Sequence, residues 1–491
     1  MSPDTGLKPG ENEKLINTMT VKERSPQIVV LVATFFLCFH TSFSQTTDSA
    51  IQLGKVTDKV VVQSYPDQSY AAFLPAGYSP DRSWPTVFCF DPRARGRLVI
   101  ERFVQAAEKH GYIVLCSNNS RNGLTGQAVA QIFTDFWDDA HARFSIDKNR
   151  TYAAGFSGGA RLATTFASRC RGCLAGVIGA GAGFGADIAP DEKTPFAYFG
   201  IVGVDDFNFG EMWELEKRLG QLRAPYRFEN FGGGHEWAPQ EKIEQAFAWL
   251  TLQAMKSGVA PKDEKFIDEQ FNVRSAAADQ VLSGGHYVDA HRAFSSIVRD
   301  FQAFRDVKLA ANKLEQVSKT AELKKEVSTE EELYRRQLRE AGEIRMLWMK
   351  PPNPDETVLP RSQATVRLAD WRKKKELTVD SRDRRLARRI LSHLTVESFE
   401  TAQASLRNND YNQALTNLQL AKEIDPKNAN TAFEIARVYA LNRQKKPALQ
   451  SLEEAVSLGF KDASRLKAEI AFSSLSDEPR YQKLLAAIGG Q

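Results

Sequence analysis

The chain has 491 residues, of which 42% are hydrophobic and 26% charged, a length that predicts two or more globular domains. Its 65 Lys and Arg residues exceed its 61 Asp and Glu residues by four, so the charge gives no reason to expect a nucleic-acid partner. No His or Cys cluster has the spacing of a zinc site, and the sequence implies no metal and no organic cofactor.

Residues 1–44 have the pattern of a secretory signal peptide. Two basic residues precede an apolar run at 28–39, and small residues follow up to Ser44. The run is shorter than the roughly 20 residues needed to cross a membrane, which makes a retained anchor the alternative rather than the expectation. A start at Met19 would give a signal peptide of ordinary length. We therefore predict an exported protein, periplasmic or extracellular, without a stable membrane span after cleavage.

Residues 54–256 alternate short apolar runs with helical stretches. The predicted strands are 59–62, 70–74, 86–90, 113–117, 150–154, 176–180, 197–202 and 227–231. The predicted helices are 100–110, 128–143, 159–169, 211–222 and 241–255. Strands separated by helices, with continuous apolar runs in the later strands, predict an α/β fold with a mostly parallel sheet covered on both faces.

Four cysteines follow the predicted signal peptide. Cys89 and Cys116 each lie in an apolar strand-like run and are predicted to be buried strand residues. Cys170 and Cys173, in the sequence CRGC, could form a disulfide in an exported protein or remain free thiols, and the sequence leaves both open.

From residue 257 onward the strand-like runs end and charged helical sequence takes over. We divide it into a helical region at 257–394 and a repeat region at 395–488. The repeat has a period of 34 residues and relates Ala402, Ala414, Leu418 and Ala421 to Ala436, Ala448, Leu452 and Ala455. An earlier segment has the same offsets at Ala278, Tyr287, Ala290 and Phe294 and is interpreted as a divergent unit. The pattern resembles tetratricopeptide (TPR) helix pairs, which predicts a protein-binding or self-docking surface.

The stretch AAGFSGGARLA places Ser157 between a predicted strand and a predicted helix. A sharp strand-to-helix turn lifts a serine out of the sheet and crowds its neighbours, so it requires glycines two residues before and two after, here Gly155 and Gly159. The context predicts a nucleophile; an inert residue in a glycine-rich turn is the alternative.

A serine nucleophile needs a base and an acid that orients the base. Among seven histidines, His235 stands in FGGGHEWAP, directly after the last predicted strand, and Asp205 and Asp206 follow the strand before it. The order Ser157, Asp206, His235 is that of α/β-hydrolases. Asp206 is preferred to Asp205 because the loop pattern Gly-x-x-Asp then starts at Gly203; simple loop positions are the alternative.

Residues 66–255 resemble the polyhydroxybutyrate depolymerase and feruloyl or acetylxylan esterase branch of the α/β-hydrolases. The resemblance rests on FLPAGYSPDRSWPTVFCFDP, GFSGGA, GVDD and GHEW. It implies that Ser157 is the nucleophile, His235 the base and Asp206 the acid that orients it. It covers less than half of the chain.

One loop departs from that branch, which usually carries His-Gly after the third strand, where this chain has Asp-Pro-Arg-Ala-Arg-Gly at 91–96. Pro92 has no amide hydrogen and cannot donate to an oxyanion. We expect the amide of Gly158 to supply one oxyanion donor and Arg93 to supply the second.

Three further residues are candidates for substrate binding: Arg95, Asn118 and Trp237. Arg95 would bind an anionic part of the substrate, and Arg93 would do so with it if it is not an oxyanion donor. Asn118 lies in SNNSRNG at 117–123, a segment that follows a strand at the same predicted sheet edge and lines the pocket or forms a simple polar turn.

The leading hypothesis is an exported serine esterase with an acyl-enzyme intermediate, acting on an ester that is free or linked to a polymer or carbohydrate. A peptidase with the same three residues is one alternative. The other is a non-catalytic scaffold that keeps the hydrolase fold and functions through its helical repeats.

Overall fold

The computed structural model describes residues 51–222, 224–351 and 359–489. These residues belong to one compact unit, Asp48–Gln491. The predicted signal peptide and Met19 lie outside the described residues. Among the described helices, none is both long enough and apolar enough to cross a membrane.

The first half of the described chain forms an eight-stranded sheet. Its strands are β1 Val56–Val61, β2 Ser69–Phe73, β3 Trp84–Phe90, β4 Ile113–Ser117, β5 Ile146–Phe156, β6 Gly176–Ala180, β7 Ala197–Gly203 and β8 Tyr226–Phe231. The strand order is β1-β2-β4-β3-β5-β6-β7-β8. β2 pairs antiparallel with β1 and β4, and all other neighbours pair in parallel. This order is that of the α/β-hydrolase fold, so the predicted fold class is confirmed.

Helices cover both faces of the sheet. They are α1 Gly96–His110, α2 Gly126–Arg143, α3 Gly158–Arg169, α4 Phe209–Gly220 and α5 Gln240–Lys256. α1 and α5 share a core with one face, and α2, α3 and α4 share a core with the other. Successive side chains of β3 therefore alternate, with Val87 and Cys89 toward α1 and Phe88 and Phe90 toward α2. Burial on both faces explains why the strands read as unbroken apolar runs.

The cysteines fall into two classes. Cys89 and Cys116 are free and fully buried in neighbouring strands, as predicted, and burial raises the pKa of the Cys116 thiol well above its usual range. Cys170 and Cys173, the pair that the sequence left open, form a disulfide at the end of α3.

The second half of the described chain is helical. Its helices are α6 Glu264–Ser283, α7 Tyr287–Phe301, α8 Lys308–Ser318, α9 Ala321–Met349, α10 Pro360–Lys375, α11 Arg382–Arg407, α12 Tyr411–Ile424, α13 Ala429–Leu441, α14 Lys445–Ser457, α15 Ala463–Ala468 and α16 Pro479–Gly489, with a 3₁₀ helix at Ile470–Leu475. Short loops make α11 and α12, and then α13 and α14, successive helix pairs. α11 continues without a break through residue 394, where the sequence predicted a domain boundary.

The residues of the 34-residue repeat are all buried between these helices: Ala402, Ala414, Leu418, Ala421, Ala436, Ala448, Leu452 and Ala455. In the earlier unit Ala278, Ala290 and Phe294 are buried, whereas Tyr287 is half-buried at the start of α7. Small residues at these sites let paired helices approach closely. The assignment of the pairs to the TPR family stays a prediction.

A buried carboxylate joins the two halves. Asp300 of α7 is 1% exposed and accepts hydrogen bonds from Trp249 and Gln253 of α5, at 3.1 and 3.2 Å. Arg274 of α6 pairs with the same carboxylate at 2.6 Å. Since a buried charge needs such partners, the first helices of the second half are fixed against the sheet domain.

Candidate active site

Ser157 stands at the sharp turn between β5 and α3. Its φ of 53° lies in the left-handed region that residues with a side chain rarely adopt. A Cβ on Gly155 would lie 2.1 Å from the carbonyl oxygen of Gly159, and a Cβ on Gly159 would lie 2.1 Å from that of Phe90. The two glycines are therefore required by close backbone contacts, and the strained turn exposes the serine hydroxyl at the carboxyl edge of the sheet.

A chain of hydrogen bonds joins Ser157, His235 and Asp206. His235 Nε2 lies 2.9 Å from Ser157 Oγ, and His235 Nδ1 lies 2.9 and 3.0 Å from the two carboxylate oxygens of Asp206. Beside a carboxylate, Nδ1 carries the proton and donates, which leaves Nε2 free to accept the serine proton. The arrangement can turn the Ser157 hydroxyl into a nucleophile.

The acid beside His235 is Asp206 and not Asp205. Asp206 is fully buried, and its Oδ1 also accepts a 2.8 Å hydrogen bond from the amide of Asn208. Asp205 points away and pairs with Arg388 of α11 at 2.6 Å. Loop spacing in the sequence favoured Asp206, and Asp206 is the carboxylate that contacts the imidazole.

Aromatic rings contact the imidazole of His235. The ring centroids of Phe156 and Phe207 lie 4.7 and 4.4 Å from that of His235. Phe207 also stacks on His393 of α11, with centroids 5.7 Å apart. Burial, with a smaller contribution from Arg345, lowers the pKa of His393 below its usual range. The helical half thus reaches the edge of the site.

Gly158 and Asn122 lie together beside Ser157. Gly158 is the first residue of α3, so its amide is among the N–H groups that a helix leaves without an internal partner. A Cβ built on Gly158 would lie 2.0 Å from Asn122 Oδ1 and 3.0 Å from Nδ2, which places the Asn122 carboxamide directly against it. Asn122 Nδ2 donates a long hydrogen bond of 3.5 Å to Glu400 of α11.

Arg93 does not fit the predicted second oxyanion donor. Its backbone amide donates a 2.8 Å hydrogen bond to Asp91 Oδ1, inside the turn after β3, and its side chain is exposed. The amide is therefore used within the loop.

The side chains of Arg95 and Trp237 bind Asp91 and do not point toward a substrate, which corrects their predicted role in substrate binding. Arg95 Nε and Nη2 pair with the two oxygens of Asp91 at 2.9 and 2.8 Å, and the Trp237 indole donates to Asp91 Oδ2 at 2.9 Å. Burial would raise the pKa of Asp91, but these partners and the Arg93 amide lower it below its ordinary value. Trp237 is 4% exposed, so it packs behind the site and offers no surface to a substrate.

Asn118 was also predicted to bind substrate, and the structure places it elsewhere. Its side chain donates to the carbonyl of Asp58 at 3.0 Å and to Ser69 Oγ at 3.3 Å, at the antiparallel edge of the sheet. Of the polar segment 117–123, it is Asn122 that reaches Ser157's neighbour Gly158. The sequence marked the segment as a candidate pocket wall but contained no signal that selected Asn122.

Within the described part of the chain, no group of three or more His, Cys, Asp and Glu side chains is arranged to hold a metal ion.

Comparisons with known proteins found likeness in three-dimensional structure only. No protein-family model matches the chain, and no curated protein matches it in sequence. An S-formylglutathione hydrolase from Staphylococcus aureus is similar at 17% identity over 37% of this chain and 90% of that one, with a TM-score of 0.32. A ferulic acid esterase is similar at 18% identity over 40% and 97%, with a TM-score of 0.33. An esterase from the archaeon Pyrobaculum calidifontis is similar at 15% identity over 41% and 87%, with a TM-score of 0.32. Likeness at these TM-scores carries no conclusion about function.

The role of Trp237 can be measured by removing its indole N–H. We expect Trp237→Phe to lower the free energy of unfolding by about 1–3 kcal/mol, because a buried carboxylate loses one donor. Urea unfolding measures the loss. Trp213→Phe is the matched control, since the Trp213 N–H is buried without a hydrogen-bond partner. Equal losses in both variants would contradict a structural role for the bond to Asp91.

Proposed function

We propose that the protein is a serine hydrolase that cleaves carboxylic esters through an acyl-enzyme intermediate. The observation that carries the proposal is the hydrogen-bonded chain from Ser157 Oγ through His235 to the buried carboxylate of Asp206. A serine on a strained turn, with its hydroxyl 2.9 Å from an imidazole nitrogen, destabilises the fold locally and is suited to nucleophilic attack.

The reaction has two halves. Ser157 Oγ attacks the ester carbonyl while His235 Nε2 takes its proton; the tetrahedral intermediate then collapses, and the alcohol leaves with that proton. Water next attacks the acyl-enzyme, again giving its proton to His235, and the acid is released as Ser157 regains its hydrogen. Asp206 stays ionised throughout, fixes the tautomer of His235 and stabilises the imidazolium that forms in each half.

The oxyanion of each intermediate needs donors close to Ser157. The Gly158 amide is one, and it lies at the N-terminus of α3, where the helix favours negative charge. In place of Arg93 we assign the second donor to the Asn122 side chain, which lies against Gly158. A half-turn of its carboxamide exchanges Oδ1 and Nδ2; it breaks the long hydrogen bond to Glu400 and requires the exposed Glu400 carboxylate to turn away from Oδ1.

The substrate is proposed to be a carboxylic ester, free or linked to a polymer or carbohydrate. Supporting this choice over a peptide is the sequence resemblance to the depolymerase and esterase branch. A peptidase would use the same three residues, and a scaffold would keep them without catalysing a reaction. Fluorophosphonate labelling and substrate cleavage distinguish these two alternatives from an esterase.

We also propose that the protein is exported and that its helical repeats bind a protein partner. The Cys170–Cys173 disulfide supports an oxidising compartment. Successive helix pairs such as α11–α12 and α13–α14 offer an extended surface of the kind that helical repeats use for binding.

The first test is labelling with a fluorophosphonate probe. The purified protein is expected to react at Ser157, mapped by peptide mass spectrometry, and to hydrolyse simple esters. Ser157→Ala should lose the label and reduce kcat by at least about 10⁴-fold, whereas Ser168→Ala in α3 should keep both. No labelling of folded protein would favour the scaffold, and labelling with cleavage of peptides but not esters would favour the peptidase.

The assignment of Asn122 predicts a selective loss. Asn122→Ala should lower kcat by about 10²- to 10³-fold, because one donor to the oxyanion is lost in the transition state. Steady-state kinetics on a model ester measures it, with Asn118→Ala as the control on the same segment. A change in KM alone would show that Asn122 binds substrate without serving the oxyanion.

Export predicts a shortened chain. Protein recovered from the periplasm or medium of its own cells should begin near residue 45, as read by N-terminal mass spectrometry. A chain that keeps residues 1–44 or starts at Met19 would contradict cleavage of the predicted signal peptide.

A further inference from the structure

The acid loop, residues 204–208 between β7 and α4, carries Asp206. Two backbone amides of the acid loop donate hydrogen bonds within the sheet domain. The amide of Val204 donates to the Phe231 carbonyl at 3.0 Å, and the amide of Asp205 donates to the Gly233 carbonyl at 2.9 Å. These bonds join the acid loop to β8 and to the loop that carries His235. Of the carbonyl groups in the acid loop, those of Val204 and Phe207 accept hydrogen bonds from the helical half, whereas those of Asp206 and Asn208 accept from the amides of Phe209 and Met212.

Arg389 of α11 bonds to the first of these carbonyls. Its Nε and Nη2 both donate to the Val204 carbonyl oxygen, at 2.9 and 2.6 Å. The side chain is 1% exposed, and its guanidinium lies 4.2 Å from the ring of Phe209, just beyond the loop. Because the N–H groups of a buried guanidinium need hydrogen-bond acceptors close by, the position of Val204 is tied to that of α11.

Two more contacts from the helical half reach the acid loop. Arg388, the neighbour of Arg389, pairs with Asp205 at 2.6 Å. Gln337 of α9 is 1% exposed and donates a 2.7 Å hydrogen bond to the Phe207 carbonyl oxygen. The residues on both sides of Asp206 are therefore bonded to helices that lie far away in the sequence.

We propose that Arg389 is a positioning residue of the catalytic site, and that Gln337 acts with it to hold the acid loop so that Asp206 faces the His235 imidazole. The helical half is then a part of the active site as well as a binding module. This inference rests on the proposed hydrolase function. Displacements of about 1 Å in catalytic groups can cost about 100-fold in rate, so small movements of the loop are sufficient.

The chain offers a matched control for Arg389. Arg385, one turn earlier in α11, shares its ion-pair partner: Arg385 Nη1 and Arg389 Nη1 each lie 3.4 Å from an oxygen of Glu330. Among the described residues, the ion pairs of Arg385 are with Glu330 and Asp380, neither of which belongs to the acid loop. The same substitution at the two sites removes the same charge, but only at Arg389 does it free the Val204 carbonyl.

The test compares Arg389→Met, Arg389→Lys, Gln337→Met and Arg385→Met in the full chain. We expect Arg389→Met to lower kcat on a model ester by about 10- to 100-fold with little change in KM. Arg389→Lys should recover part of the loss, because it keeps the charge and a donor. Gln337→Met should lower kcat in the same direction, and Arg385→Met should stay within about twofold of the parent protein.

A second measurement does not depend on turnover. The proton of His235 Nδ1–H, bonded to Asp206, should give a low-field ¹H resonance in the parent protein and in Arg385→Met. It should broaden or shift in Arg389→Met and Gln337→Met if the acid loop has moved. If Arg389 and Gln337 only stabilised the fold, their substitution would lower the free energy of unfolding. The resonance and the kcat of the folded fraction would then stay unchanged.

These outcomes separate the inference from the proposed function. If Arg389→Met does not fold, Gln337→Met provides the test. This substitution removes a neutral side chain whose Nε2 donates to Phe207 and whose Oε1 has no hydrogen-bond partner among the described residues. If kcat and the resonance are unchanged in Gln337→Met and Arg389→Lys, the inference is wrong. Labelling of Ser157 would then still support the proposed hydrolase function. An unlabelled parent protein would overturn the function, and the resonance would still report whether the loop moves.

Discussion

The geometry of the site depends on the burial of one charge, the carboxylate of Asp206. A carboxylate without solvent must be met by donors, and Asp206 finds them in the Asn208 amide and in His235 Nδ1–H. The imidazole that satisfies the carboxylate has its other nitrogen fixed in space, 2.9 Å from Ser157 Oγ. The tautomer, the ring orientation and the serine contact thus follow from a single electrostatic requirement.

A second buried carboxylate, Asp91, fixes the other side of the site. It lies after β3, at the start of the loop that departs from the esterase branch that the sequence resembles, and it binds both Arg95 and the indole of Trp237. Trp237 is two residues from His235, so the loop that carries the base is tied to the central sheet through Asp91. The contacts of Asp91 in this loop are with packed side chains. The loops that carry His235 and Asp206 are therefore held by different contacts, the first within the sheet domain and the second from the helical half.

The sequence predicts the strands and singles out the hydrogen-bonded residues Ser157, Asp206 and His235, because both leave local signals. The bounds of β4 and β6 agree with the predicted strands to the residue, since strands buried on both faces form continuous apolar runs. Ser157 is marked by glycines that the turn requires. Trp237, Arg95 and Asn118 were misassigned because neighbours in the chain do not reveal which way a side chain points. The contact of Arg389 with Val204 joins residues 185 positions apart, and no periodicity or spacing encodes it.

One helix serves both halves of the molecule. The first turns of α11 carry Arg388 and Arg389, which contact the acid loop, and its last turns carry Ala402, buried in the first helix pair of the repeat. A helix of 26 residues spans about 39 Å and bends little without a proline or an inserted residue. Since α11 is continuous, the first repeat pair and the acid loop are attached to one rigid element. A displacement of that pair along or around the helix axis would therefore move the contacts to Val204 and Asp205, which directly precede Asp206 in the chain.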